Sequence, residues 1–148
     1  MLEFCGALLG GFIADRIGKR KVIAVGYGTY GLLTIAFGLL SGCWTNSFVS
    51  TAYLIIHPGF ISFGTVAVFS LFMQISWTRA AATMFTSYMA MANLSTIIGT
   101  RLAGRLDGVL PYDNIFILVG IITILPLGLL ILINPDIMFK LKKEDEQV

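Results

Sequence analysis

His57 is the only imidazole among 148 residues, and Pro58 and Gly59 come directly after it inside a long apolar run. An ionisable group in such a setting is by default a proton carrier or a ligand for a polar solute. The competing reading is a neutral histidine bonded within a helix bundle. Pro58 sharpens the question, because it cannot donate to the Leu54 carbonyl and leaves that oxygen in need of a partner or of cavity water. A second set of polar groups lies at Thr83, Thr86, Ala90, Asn93 and Ile97. Their three- and four-residue spacing puts two hydroxyls and an amide on one helix face. Such a face either lines a wet cavity or packs closely on another helix while its hydroxyls bond their own backbone. Asn93-Leu94-Ser95 fits a glycosylation acceptor, but its depth in the apolar stretch speaks against modification. The third set is a charged string around Gly18: Asp15, Arg16, Lys19, Arg20 and Lys21.

No nucleophile, metal or phosphate-binding constellation accompanies these groups. The sequence has no pair of cysteines at ligand spacing, no G-x-S-x-G and no phosphate loop, and no carboxylate occurs between residues 22 and 106. The expectation is a protein that is not an enzyme and needs no metal or cofactor. A membrane-embedded enzyme is the alternative from a different class, and it lacks candidate residues.

Composition says what kind of scaffold holds these groups. Apolar residues make up 57% of the chain and charged residues only 12%, against about 25% charged in soluble domains. A soluble fold of this size would expose far more apolar surface than stable monomers tolerate. The net charge of +2 is too small for a polyanion footprint, so nucleic acid is not an expected partner. Lipid is.

Between Lys21 and Arg79 no Asp, Glu, Lys or Arg occurs. A membrane span takes roughly 20 apolar residues, so this run holds two, divided by the turn signal Thr45-Asn46-Ser47. Further charge-free stretches at 80–100 and 114–135 are each long enough to cross. The apolar segment before Asp15 reaches only about 21 Å as a helix, short of a hydrocarbon core of roughly 30 Å, and reads as a truncated first span. Glu3 stands where a signal peptide would carry its basic region, which disfavours that reading. The expected fold is an all-α polytopic membrane bundle of about five helices at 1–14, 22–44, 48–77, 80–100 and 114–135, with a charged tail at 140–148.

Lys and Arg fall eight on one side and two on the other when alternate connecting segments are summed. The positive-inside rule then places segment 15–21, Arg79 and the C-terminal tail in the cytoplasm. Trp44 and Trp77 fall at span ends, where indoles favour headgroups, with core packing as the alternative. Cys5 and Cys43 both come to the outer side, so a disulfide is conceivable, although buried free cysteines are common. Gly38 with Gly42, and Gly104 with Gly108, have the spacing of close helix contacts. His57 lies about 15 Å from the outer end of its helix, near the midplane, and Asn93 is expected at a similar depth.

Gly11-Phe-Ile-Ala-Asp15-Arg16-Ile-Gly18-Lys19-Arg20-Lys21 resembles the cytoplasmic loop signature of the major facilitator superfamily: glycine, three residues, Asp-Arg, any residue, glycine, any residue and two basic residues. The six marked positions, Gly11, Asp15, Arg16, Gly18, Arg20 and Lys21, all match. The physical roles are readable. Gly11 allows a neighbouring helix close, Gly18 permits a reversal at positive φ, Asp15 meets helix N-terminal donors, and the basic residues hold the cytoplasmic surface.

The resemblance implies a gating loop that does not bind solute. Four spans and a charged tail come after it, an order similar to helices eight to twelve, so an N-terminal half would be the missing partner. Ala81-Ala82-Thr83-Met84-Phe85, then Ala90, Gly99 and Leu102-Ala103-Gly104, look like the eleventh helix of the AmpG-like muropeptide permeases and related acetyl-CoA transporters; those permeases often have glutamine at Met84. The activity implied by this resemblance is that of a secondary transporter or symporter of the inner membrane, with His57, Thr83, Thr86 and Asn93 along the path of a small solute and proton coupling as an option. The alternative is a small structural or regulatory membrane protein that acts by helix association.

Overall fold

The computed structural model describes residues 2–75 and 81–131. Among them every regular element is helical: α1 (Leu2–Ile17), α2 (Lys19–Leu39), α3 (Ser47–Ile75), α4 (Ala81–Leu106) and α5 (Tyr112–Ile124), with 3-10 turns at Ser41–Cys43 and Leu125–Ile131. Trp77, Arg79 and the tail at 140–148 lie outside the described residues, as do positions 132–135 of the expected last span. The fold is an all-α membrane helical bundle. Lys19–Leu39, Ser47–Gln74 and Tyr112–Leu130 are long and apolar enough to cross a bilayer. At 16 residues α1 reaches only about 24 Å. α4 has 26 residues, but its hydroxyls and Asn93 keep it out of the strongly apolar set.

The helix ends differ from the expected spans for local reasons. Gly18 adopts φ 103°, a conformation that side chains with a Cβ rarely take. It reverses the chain in a single residue, so α2 starts at Lys19 and not near residue 22. Nothing would touch a Cβ built there; the demand is on the backbone angle, not on space. At the far end α2 stops at Leu39, five residues before Trp44. The Trp44 indole N–H donates to the Phe37 carbonyl at 2.8 Å, satisfying an acceptor the last turn leaves free. Asn46 then opens α3 by accepting the Phe48 N–H at 3.0 Å. α3 continues as helix through Pro58. In α5, Pro126 cannot donate, and the chain tightens to a 3-10 turn from Leu125.

Glycines set the packing. α1 runs parallel to α3, with Gly6 against Gly59 and Gly10 against Phe63; a Cβ on Gly10 would stand 2.5 Å from the Phe63 carbonyl oxygen. Gly11, the glycine expected to permit this approach, makes only ordinary contact with Val66, 3.6 Å away. Successive helical residues point about 100° apart, so one of the adjacent pair faces the contact squarely and the other flanks it. α2 runs antiparallel to α5, with Gly31 on Gly120 and Gly38 against Asp113 and Ile117. Gly42, Gly104 and Gly108 meet nothing within 4 Å. Of the two expected glycine pairs, only Gly38 serves a contact among the described residues.

The buried core is Ala14, Val22, Ile23 and Ala67, with Thr34 as the buried polar residue. Large apolar side chains such as Phe4, Leu32, Phe48 and Leu125 point outward. In water that surface would aggregate; in hydrocarbon it is the solvated face. Cys5 and Cys43 are both free thiols, so the conceivable disulfide is not formed.

Candidate functional site

The loop between α1 and α2 is built by α1's last turn, Gly18, and α2's first turn. Three cations at the start of α2 oppose the positive end of its dipole, and two of them are drawn away from it. Lys19 donates from Nζ to the Ser70 carbonyl of α3 at 3.1 Å. Arg20 donates from its guanidinium to the Leu130 carbonyl in the 3-10 turn after α5. The loop thus grips two other elements at this end of the bundle. Arg16 lies over the Phe12 ring, 4.2 Å from its centroid. Asp15 and Lys21 are exposed, and Asp15 makes no ion pair among the described residues.

The four candidates for a solute path fall in two places. His57 is half-buried and turned toward α2, its ring centroid 4.7 Å from Tyr30 and 4.9 Å from Tyr53. Thr83, Thr86 and Asn93 are exposed on α4. α4 meets α3 near the basic end of the bundle, where Tyr88 stacks on Phe72 at 4.9 Å.

On α4 the hydroxyls serve their own helix. Thr86 donates to the Ala82 carbonyl at 2.8 Å, Ser87 to Thr83 at 2.9 Å and Thr96 to Ala92 at 3.1 Å. Their oxygens still have lone pairs to offer outward. The Asn93 amide has no side-chain hydrogen bond among the described residues. Its two donors and its acceptor are open to whatever lies against this face.

Sequence reading passed over a polar seam between α2 and α3. Tyr27 bonds Thr65 at 3.0 Å, Thr34 donates to the Tyr30 carbonyl at 2.8 Å, and Tyr53 donates to Thr34 at 3.4 Å. The signal was present: Tyr27, Tyr30 and Thr34 recur at three- and four-residue spacing in an otherwise apolar span. Trp44 belongs to an aromatic cluster beside the seam, with Phe37 5.2 Å and Phe116 5.6 Å from its ring.

These features define a polytopic helical membrane protein with a charged hinge loop at one end. The family model of the Major Facilitator Superfamily matches residues 2–147. The chain belongs to that superfamily, whose members are membrane transporters. No curated protein and no solved structure gives a significant match.

Proposed function

We propose that this chain forms the C-terminal half of a secondary active transporter, corresponding to helices eight to twelve of the superfamily. It sits in the inner membrane with its C-terminus in the cytoplasm, and the 11–21 loop closes the cytoplasmic gate. α4 supplies one wall of the solute path, with Thr83, Thr86 and Asn93 facing it, and an N-terminal half supplies the other. The resemblance of α4 to the eleventh helix of AmpG-like permeases makes a muropeptide or a similar solute the first to assay, with a proton as coupling ion.

The observation that carries this reading is the open polar face of α4. An amide left open at membrane depth needs a partner, and no described helix supplies one. Alternating access by rocking two halves about a central site would place such a face on water and solute. Sequencing the DNA upstream of the Met1 codon tests the reading. An in-frame region encoding a further set of membrane spans is expected, and the completed protein should then import muropeptide into vesicles. A stop codon and a separate ribosome-binding site next to Met1 would overturn the half-transporter assignment.

A further inference from the structure

Around His57 the contacts close into a ring. Tyr30 of α2 flanks its imidazole at 4.7 Å and a 49° tilt, and Tyr53, one turn earlier on α3, flanks it at 4.9 Å and 48°. The two tyrosines are joined through Thr34, which accepts from the Tyr53 hydroxyl and donates to the Tyr30 carbonyl. Thr34 is 1% exposed, so this linkage lies inside the bundle. Tyr53 stacks on Phe37 at 4.0 Å and 9°, and Phe116 of α5 meets both edge-on. The grip on His57 therefore extends through α2 to α5.

The next residue along the chain is the weak point of α3. Pro58 removes one helix hydrogen bond and crowds the carbonyl of Leu54. Proline positions of this kind bend unless neighbouring elements hold them. Here both sides are held. Gly59 packs against Leu2 and Gly6 of α1, while His57 is wedged between rings anchored on α2 and α3 itself. No Asp, Glu, Lys or Arg lies between residues 22 and 78, and the titratable groups in ring contact with the imidazole are Tyr30 and Tyr53.

We propose that His57 is a positioning residue, a ring wedge that fixes the proline break of α3 against α2, and that it acts by shape and ring contact and not as a solute ligand or proton carrier. This role goes beyond the solute-path reading of α4 and stands on separate contacts. It also separates His57 from Thr83, Thr86 and Asn93, with which its sequence position had grouped it. Among the described residues the ring contacts of this half-buried imidazole are with α2 and α3, and none is with α4.

Because the chain has one histidine, its imidazole ring protons are open to selective isotope labelling and NMR in detergent micelles, using the whole chain. Ring-current shielding by the two tyrosines should move them upfield of free imidazole. Tyr30→Leu and Tyr53→Leu should each move them back toward the free position, and Tyr112→Leu, at the exposed start of α5, should leave them in place. A thermal unfolding series gives an independent reading. His57→Phe should keep the wild-type midpoint, whereas His57→Ser should lower it. Wild-type resonances at the free-imidazole position would overturn the proposal. So would a series in which His57→Gln preserves the midpoint and His57→Phe loses it, since hydrogen bonding and not ring contact would then be the need. Should a tyrosine variant fail to fold, the wild-type shift and the His57 series decide. None of these readouts measures transport, so a failure here is distinct from a failure of the half-transporter reading.

Discussion

Gly18 shows how one residue can carry a loop. Its φ of 103° joins α1 to α2 without a linker, and this places Lys19 and Arg20 in the first turn of α2, where they reach Ser70 and Leu130. A charge-assisted hydrogen bond contributes more than a neutral one, about 1.5–3 kcal/mol, so the two reaches offset the unfavourable meeting of three cations with a helix N-terminus. What Gly18 supplies is a backbone angle, and that can be tested by substitution. Gly18→Ala meets no steric neighbour, yet forcing a Cβ into this region of conformational space costs about 1–3 kcal/mol. Unfolding of the purified chain in denaturant should show that loss, while Gly42→Ala, equally free of neighbours and at ordinary φ, should sit much closer to wild type. Equal stability of the two variants would mean that the loop relaxes to another reversal and that Gly18 does not set it.

The elements divide into those whose packing the sequence announces and those where it does not. Long charge-free runs made the spans of α2, α3 and α5 legible, because desolvation excludes charge from hydrocarbon. The Gly11 to Lys21 spacing made the hinge legible too. Hidden from sequence reading was which face of each helix met which neighbour. In water an apolar stripe gives that answer; in a bilayer the lipid-facing side is apolar as well, and only small and polar residues mark the contacts. Gly38 was found on that basis, whereas Gly31 and Gly120 were missed because neither has a partner at four-residue spacing. They form the tightest approach of α2 to α5: a Cβ on Gly120 would lie 2.7 Å from the Gly31 carbonyl oxygen. Gly120→Val should therefore push the helices apart, at an overpacking cost of about 1–3 kcal/mol. The loosening should appear as altered fluorescence of Trp44, which packs against Phe116 of α5. Gly128→Val, with nothing within 4 Å of its Cβ, is the control, and identical spectra for both variants would remove this contact from the packing scheme.

Across the whole molecule, the helices differ in how firmly they are tied together. α2 is the axis: it meets α3 through the tyrosine seam, α5 through glycines, and α1 through the hinge. Among the described residues α4 stands apart, joined to α3 chiefly where Tyr88 meets Phe72, and the hydroxyls of Thr86, Ser87, Thr96 and Thr100 are already bonded to its own backbone. Helix hydrogen bonds that lack tertiary cover open locally at lower free energy than those in a packed core. A partner that buries the Asn93 face should close that gap by mass action, since it binds the ordered form of α4. Hydrogen exchange on the chain in micelles should accordingly run faster along α4 than along α2. On the half-transporter proposal, co-expression with the N-terminal half should slow exchange in α4 and leave α2 nearly unchanged, because α2 already has partners within this chain. If α4 is as protected as α2 in the chain alone, then its polar face is covered by something this chain itself provides, such as a second copy, and the wall it offers would belong to an oligomer contact and not to a solute path.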